Sequence, residues 1–313
     1  MSPPSSDSSF ERLLLDAASS EIRSVRLAAE HLIQAGGKRV RPRFATLLGE
    51  LFRCESGLAD AIGTAAELVH TATLLHDDII DRSEVRRGQA TVHSKFGVGH
   101  AVLAGDFLLA RALHGLTERG LFEATHELTV AVRELVEAEL LQFEQAYTPE
   151  TTLAQTRRIA EGKTGALFAW CARGIAVTMR LSPDQVAVAD SLGRRTGYAF
   201  QVADDLLDLT NPDSGKPIHK DLREGQLTVP VQLARPEDPA LDAVLGKAFE
   251  SRTEADFEVA YDAIETSSAR SRGQQEITRC REEMLRDALT LFTDPRSSQS
   301  LGDFFDRHVQ GHA

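Results

Sequence analysis

The chain has 313 residues, of which 42% are hydrophobic and 26% are charged, and its formal net charge at pH 7 is −12. This is the composition of an ordinary soluble protein with enough apolar residues for a sizeable core. The acidic balance argues against a nucleic-acid-binding protein, since such proteins usually present a basic surface to the phosphate backbone.

The chain begins with the polar stretch MSPPSSDSSF, which lacks the charged and then apolar pattern of a signal peptide. No apolar run reaches the roughly 18 residues that a membrane-spanning helix needs. The three cysteines form no C-x-x-C pair, which is typical of buried thiols in a reducing compartment: Cys54, Cys171 and Cys280. We therefore expect a cytoplasmic protein without a stable membrane anchor, whose residues 1–9 form a disordered tail.

Helical spacing of apolar residues dominates the rest of the chain, and alternating strand-like runs are scarce. The clearest predicted helices lie at 59–81, 125–147, 186–208 and 254–264. Glycine and proline breakers occur at 36–37, 211–217 and 235–239. None of these breakers is long enough to link two domains, so we predict a single all-α domain over residues 10–313.

The first basic motif is GGKRVRP, residues 36–42, in which two glycines suit a helix C-cap and the proline suits the first turn of the next helix. Four cations cluster around it: Lys38, Arg39, Arg41 and Arg43. A glycine-rich loop that leads into a helix N-terminus can bind phosphate. The alternative interpretation is a solvated basic turn.

The first acidic motif is LLHDDIID, residues 74–81. Positions i and i+4 share a helix face, so Asp77 and Asp81 project together with Asp78 beside them. Carboxylates one turn apart repel each other, and the arrangement costs stability unless a cation lies between them. A solvated acidic face is the alternative.

A second match to the same spacing occurs in AFQVADDLLDL, which supplies Asp204, Asp205 and Asp208. Two such matches arise by chance on the order of a few times in a thousand. Oxygen ligands without a Cys or His set favour Mg²⁺ over zinc. Because Mg²⁺ completes its shell with water and phosphate oxygens, the two motifs together predict a diphosphate ligand.

Basic residues accompany both acidic motifs. Arg86 and Arg87 follow the first motif, and EGKTGALF holds Lys163 and Thr164 between glycines. SGKP supplies Lys216 soon after the second motif. Four separate basic sites attend two carboxylate sites, which predicts a pocket for two anionic substrates.

From about residue 36 to residue 230, the chain resembles the trans-isoprenyl diphosphate synthases, also called polyprenyl synthetases. ELVHTATLLHDDIIDRSEVRRGQAT is especially similar to the bacterial medium- and long-chain members. The resemblance implies a bundle of long helices around a central cavity (the isoprenoid synthase type), usually as a homodimer. It also implies Mg²⁺-dependent head-to-tail condensation of isopentenyl diphosphate with an allylic diphosphate, farnesyl or geranylgeranyl.

The same resemblance implies a role for each motif. The aspartates bind Mg²⁺, the first motif through Asp77 and Asp81 with Asp78, and the second through Asp204 with Asp205 and Asp208. The residues at positions that hold the allylic diphosphate are Arg86, Lys163, Thr164, Gln201 and Lys216. Those at positions that hold isopentenyl diphosphate are Lys38, Arg41, His70 and Arg87. The residues expected to stabilise the charge on the departing diphosphate are Asp77, Asp81, Arg86, Lys163, Asp204 and Lys216.

Two departures from the family pattern lie near the second motif. Gln226 in GQLTVP stands where many members have a diphosphate-binding lysine, and His219 stands where they tend to have glycine. The neighbouring Lys220 is a candidate to supply the missing charge.

Product length is argued from the helix that carries Asp77. The growing chain should run down that helix, where Ala72 and Thr73 are small and Val69 and Ala66 follow. Small residues leave a tunnel open, which predicts a product from heptaprenyl to decaprenyl, with geranylgeranyl diphosphate as the second possibility. The helix around residues 135–142 is the alternative floor.

Three other functions fit less well. A class I terpene cyclase normally carries an Asn/Asp-Ser/Thr-Glu second motif and lacks GGKRVRP. A non-catalytic subunit of a heteromeric synthase loses aspartates, whereas both motifs are complete here. A purely structural helical protein with acidic faces is the remaining alternative.

Overall fold

The computed structural model describes residues 6–55, 57–210 and 220–311. The fold is all-α, as the sequence predicted, and the only strands among the described residues are two strands of two residues each. The chain divides into two compact units, Met1–Thr129 with Cys171–Leu181, and Val130–Trp170 with Ser182–Ala313. The predicted single domain and disordered tail stay predictions, although helix α1 begins at Ser6, within that tail.

The first unit contains six whole helices and a short hairpin. The helices are α1 (Ser6–Ala17), α2 (Arg23–Gln34), α3 (Val40–Phe52), α4 (Leu58–Ile80), α5 (Val92–Phe96) and α6 (Val98–Glu118). The strands β1 (Val85–Arg86) and β2 (Gln89–Ala90) pair antiparallel between α4 and α5. Two further helices, α7 (Phe122–Gln145) and α9 (Ala166–Thr178), have one part in each unit.

Helix α4 is the central element of the first unit and packs mainly against α6 and α3. Its apolar residues recur at helical spacing, and Ile62, Leu68, Val69 and Leu75 are almost completely buried. Gly57, with φ of 87°, precedes its first turn in a conformation that favours glycine. This packing holds the last turn of α4, which carries the first acidic motif, on a rigid base.

The second unit contains the remaining helices. They are α8 (Leu153–Ala160), α10 (Pro183–Thr210), α11 (Lys220–Arg223), α12 (Val229–Ala234), α13 (Pro239–Ser251), α14 (Glu254–Thr266), α15 (Ala269–Leu291) and α16 (Pro295–Phe305). Two π-helical turns, Glu161–Gly165 and Asp306–Gln310, follow α8 and α16 directly, and a 3₁₀ turn, Arg235–Glu237, follows α12.

Helix α10 packs along α15 and carries the second acidic motif near its C-terminal end. Gly193 lets α10 approach the preceding helix closely, because a Cβ there would lie 2.4 Å from the backbone oxygen of Phe168. Phe168 and Trp170 are completely buried in this region. The close packing gives the second acidic motif a rigid base of its own.

Other expectations from the sequence have mixed outcomes. All three cysteines are free, and burial raises the pKa of Cys171 and Cys280 to about 12, as expected for inert thiols. No helix among the described residues is long and apolar enough to cross a bilayer. The breaker at 211–217 lies outside the described residues.

Candidate active site

The first acidic motif occupies the last turn of α4. Asp78 is only 1% exposed, Asp77 is half-buried, and Asp81 is exposed at the C-cap. The backbone N–H of Asp81 donates to the carbonyl of Asp77 at 2.8 Å, so the α-helical turn extends through the motif. Asp77 and Asp81 therefore lie one turn apart, as their spacing predicted.

Asp78 contacts the arginine that follows the motif. Arg86 Nε donates to Asp78 Oδ1 at 2.7 Å, while Asp78 Oδ2 is buried without a hydrogen-bond partner among the described residues. Burial raises the pKa of Asp78, and the Arg86 guanidinium opposes this shift. Asp78 thus orients Arg86.

The hairpin after α4 turns through Arg87 and Gly88, whose φ angles are 52° and 75°. Two consecutive positive φ values are the signature of a type I′ turn, which matches the twist of the paired strands. The turn brings the Arg87 guanidinium beside Gly37, where a Cβ would lie 3.0 Å from Nη1. Arg87 therefore lies beside the basic loop of residues 36–39.

Arg39 has a structural position in that loop. It is 9% exposed, with φ of 48°, and its guanidinium donates at 2.7 Å to each of Glu67 Oε1, Glu11 Oε1 and the carbonyl of Ile33. These bonds tie the basic loop to α1, α2 and α4. The neighbouring Lys38 is exposed.

Sequence reasoning did not identify Glu67, which is 3% exposed and supplies the buried negative charge for Arg39. Its one signal is its position three residues before His70, on the same face of α4. Glu67 also favours the charged form of Arg41, whose pKa is lowered by burial. The basic cluster thus has its own internal counter-charge.

His70 lies in a positive field. Burial lowers the pKa of His70 well below its usual value, and Arg41, Arg87, Arg86 and Arg39 lower it further. The imidazole is therefore neutral at pH 7. The same field favours an anion at this position, which is consistent with the implied binding of isopentenyl diphosphate.

The residues expected to set product length also lie on α4. Ala72 is buried, as are Val69 and Ala66. The Thr73 hydroxyl donates to the carbonyl of His70 at 2.8 Å, within the helix. Whether a tunnel runs along these side chains stays a prediction.

In the second unit, Lys163 and Thr164 lie in the π-helical turn Glu161–Gly165. Such turns are rare and frequently occur at functional sites. Gly162 allows this turn to approach α7, because a Cβ there would lie 2.6 Å from the Cβ of Ala138. Lys163 Nζ contacts Oε2 of Glu139 at 3.0 Å, and Glu139 also lies on α7.

A chain of hydrogen bonds links this turn to the second acidic motif. The Thr164 hydroxyl donates to Gln201 Oε1 at 2.6 Å, and Gln201 Nε2 donates to Asp205 Oδ1 at 2.8 Å. Asp205 Oδ2 accepts from the N–H of Val229 at 3.3 Å. Burial raises the pKa of Asp205 to about 7. Asp205 is thus committed to protein contacts, whereas Asp204 is exposed.

Asp208 connects the motif to the turn that begins α11. Its two oxygens accept the backbone N–H groups of Lys220 at 3.2 Å and of Asp221 at 3.3 Å. The pKa of Asp221 is raised well above its usual value by burial and then by Asp208, Asp205 and Asp204. Four carboxylates therefore share one field, and a bound cation would relieve their repulsion. Sequence reasoning missed Asp221 as a site residue because no helical spacing relates it to α10.

Gln226 and Lys220, the described residues named for the two departures, contact the same carboxylate. Lys220 Nζ contacts Glu224 Oε1 at 3.1 Å, and Gln226 Nε2 donates to Glu224 Oε2 at 3.4 Å. Glu224 therefore engages both side chains. Lys216 and His219 lie outside the described residues, so the role of Lys216 stays a prediction.

The donor set in each unit fits a hard divalent cation. No three His, Cys, Asp or Glu side chains within residues 6–55, 57–210 and 220–311 converge to hold a metal ion by themselves. Mg²⁺ usually takes only one or two carboxylates and completes its shell with water and phosphate oxygens. Asp77 with Asp81, and Asp204 with Asp208, supply carboxylate pairs of that kind.

In each unit a long helix carries an acidic motif near its C-terminal end, and cationic residues lie in the same unit. The family model for polyprenyl synthetase matches residues 23–264, and the chain belongs to this family. It is accordingly a prenyltransferase.

Individual proteins of the family are similar over most of the chain. Octaprenyl diphosphate synthase of Escherichia coli is 34% identical over 221 residues, which cover 70% of this chain and 68% of that protein. The structure of a decaprenyl diphosphate synthase from Rhodobacter capsulatus has a TM-score of 0.88 and 30% identity, covering 98% of this chain and 96% of that one. A polyprenyl synthase from Caulobacter crescentus, complexed with calcium and isoprenyl diphosphate, has a TM-score of 0.88 and 32% identity, covering 98% and 95%.

Proposed function

We propose that this chain is a long-chain trans-polyprenyl diphosphate synthase, which condenses isopentenyl diphosphate head-to-tail with an allylic diphosphate. The observation that carries the proposal is the repeated site design in a polyprenyl synthetase chain: each acidic motif ends a long packed helix and has cationic residues in its own unit. Farnesyl or geranylgeranyl diphosphate is the allylic substrate in this proposal.

Mg²⁺ is the proposed cofactor. Asp77 with Asp81 would hold one ion and Asp204 with Asp208 a further one, with Asp78 and Asp205 fixing neighbouring groups. The oxygen-only donors and the calcium complex of the Caulobacter protein support a hard divalent cation. Bound cations of this kind stabilise negative charge on a departing diphosphate as Lewis acids.

The basic residues near the acidic motifs hold the allylic diphosphate in this proposal. Arg86, Lys163 and Lys216 would stabilise the charge that develops on the leaving group, and Thr164 and Gln201 would orient it. Support comes from the contacts that already fix these side chains, such as Arg86 on Asp78 and Lys163 on Glu139. Fixed donors need little reorganisation when the charge appears.

The proposed binding group for isopentenyl diphosphate is Lys38, Arg41, His70 and Arg87. The electrostatic influence of Arg41 and Arg87 on His70 supports this assignment, because an anion lowers the cost of bringing these groups together. A neutral His70 can donate one hydrogen bond to the substrate without adding charge.

A homodimer is part of the proposal. Helix α7 exposes Val136, Leu140 and Phe143, which recur at helical spacing on one face in the second unit. Helix α6 exposes Val102 and Leu103 in the first unit. Apolar stripes of this kind are typical of surfaces that pair with another chain.

Two observations support a long product, heptaprenyl to decaprenyl. The similar proteins include an octaprenyl and a decaprenyl diphosphate synthase. The positions below Asp77 on α4 carry small side chains, Ala72 and Thr73. Geranylgeranyl diphosphate is the alternative product.

The test is to incubate the purified chain with Mg²⁺, labelled isopentenyl diphosphate and, separately, geranyl, farnesyl and geranylgeranyl diphosphate, and then to size the products. We expect linear products of 35 to 50 carbons, that is, of about 7 to 10 five-carbon units. A 20-carbon product would support the geranylgeranyl alternative. Cyclic hydrocarbon without use of isopentenyl diphosphate, or no incorporation at all, would contradict the proposal.

A further inference from the structure

The turn at residues 220–226, which follows the second acidic motif, is held from α10 and from the end of α7, both within the second unit. From α10, the Asp208 carboxylate accepts the N–H groups of Lys220 and Asp221. From the other side, the contact is made by Tyr147, which follows the last turn of α7.

Tyr147 makes two hydrogen bonds to the main chain of this turn. Its N–H donates to the carbonyl of Gly225 at 2.8 Å, and its hydroxyl donates to the carbonyl of Arg223 at 2.6 Å. Tyr147 adopts φ of 57°, a left-handed conformation that is uncommon for a bulky residue. Backbone conformations of this kind persist only where the surroundings hold them, and they cluster at functional sites.

Three neighbouring residues pack closely against Tyr147. Gly225 has φ of 77°, and a Cβ there would lie 2.5 Å from Tyr147 N and 2.6 Å from its Cγ. The Arg252 guanidinium lies 4.1 Å from the centre of the tyrosine ring, and Phe249 packs edge-on at 5.7 Å. The ring is therefore fixed, and so is the direction in which its hydroxyl points.

We propose that Tyr147 is a positioning residue that fixes the turn of residues 220–226, so that Asp221 stands beside Asp208 at the cation-binding end of α10. Tyr147 itself contacts neither substrate nor cation. Helix α7, which Tyr147 follows, also carries Glu139, which contacts Lys163. The end of α7 thus sets the position of a diphosphate-binding lysine and of the fourth carboxylate together. The proposal rests on the proposed function.

The test compares Tyr147→Phe with the wild-type enzyme in a prenyl-transfer assay over a range of Mg²⁺ concentrations, and by the rise in melting temperature that Mg²⁺ with inorganic diphosphate produces, which should need more Mg²⁺ in the variant. The substitution keeps the ring and removes only the bond to the Arg223 carbonyl. We expect the Mg²⁺ concentration for half-maximal rate to rise about fivefold, the factor that loss of one hydrogen bond gives. At saturating Mg²⁺ the rate should recover, and the KM for isopentenyl diphosphate should not change.

The matched control is Tyr261→Phe, which removes a hydroxyl from the same hydrophobic cluster. Tyr261 contacts the side chain of Arg223, through its ring and its hydroxyl. Its substitution leaves the hydrogen bond from Tyr147 to the Arg223 carbonyl in place, so we expect wild-type Mg²⁺ dependence. Gly225→Ala is a second probe, because its Cβ displaces Tyr147, and it should raise the Mg²⁺ requirement by tenfold or more. An unchanged Mg²⁺ requirement in both Tyr147→Phe and Gly225→Ala, or an equal shift in Tyr261→Phe, would overturn the positioning role. A wild-type enzyme without prenyl transfer would instead remove the proposed function.

Discussion

The buried ion pair of Arg39 with Glu67 fixes the basic loop at the level of single residues. Both side chains are nearly inaccessible, and the pair joins α4 to the residue that precedes α3. Loss of one partner from such a pair leaves an uncompensated buried charge. The pair therefore contributes mainly by fixing where Lys38 and Arg41 can lie.

We predict that Glu67→Gln lowers the free energy of unfolding by about 1–3 kcal/mol, since one charged hydrogen bond is weakened and Glu11 remains on Arg39. The KM for isopentenyl diphosphate should rise severalfold, with a smaller change in kcat. Thermal unfolding and steady-state kinetics measure both effects. Glu30→Gln is the control, because Glu30 forms only an exposed pair with Arg26, and it should change neither quantity.

His70 gives a prediction about pH. The pKa of His70 in the folded protein is well below its usual value. Below pH 6.5 the histidine is therefore protonated in the unfolded chain but stays neutral in the folded protein. Stability should therefore fall as pH falls through 6.5, by up to about 1.4 kcal/mol for each pH unit. The measurement is chemical unfolding of metal-free wild type and His70→Gln between pH 7.5 and about 5.5. If both proteins show the same slope, the folded protein does not exclude that proton.

At the level of elements, α4 combines a rigid core helix with the groups that bind substrates. Its buried face packs on α6 and α3, and its last turn presents the acidic motif. Substitutions one or two turns before that motif should therefore change product length without removing the aspartates.

We predict that Ala72→Tyr shortens the product, because an aromatic ring one turn below Asp77 would close the tunnel. Overpacking of a buried alanine should also cost about 1–3 kcal/mol of stability. Product sizing by chromatography measures the first effect. Thr64→Tyr is the control, since Thr64 lines a separate cavity of about 270 Å³ beside α1 and α6 and should leave product length unchanged. An unchanged product length in Ala72→Tyr would mean that another segment closes the tunnel, such as the helix around residues 135–142.

At the level of the whole molecule, the exposed apolar face of α7 predicts the assembly. We expect a homodimer, and Leu140→Asp should convert it to a monomer because a charge would then be buried in the contact. Light scattering after size exclusion measures the mass directly. Leu289→Asp is the control, because Leu289 is an isolated exposed leucine on α15 and its substitution should not change the mass. A monomeric wild type would contradict the homodimer.

The sequence by itself determined the all-α class and the position of both acidic motifs near helix ends. Apolar spacing and the i to i+4 relation of the aspartates are local properties, and a helix expresses them whatever surrounds it. The predicted helix 125–147 nevertheless ends at Gln145, because Tyr147 takes a left-handed conformation against Gly225. That contact joins distant parts of the chain, so no local pattern contains it.

Only the tertiary structure decided which motif residues are buried in contacts with the protein and which distant residues join them. Glu67 reaches Arg39 across 28 positions, and Tyr147 reaches Arg223 across 76. Asp205 looks like its neighbours in sequence, but burial commits it to protein hydrogen bonds, while Asp221 joins the acidic group from beyond α10. The physical reason is that a hydrogen bond or a shared electric field depends on distance in space, whereas helical periodicity depends on distance along the chain.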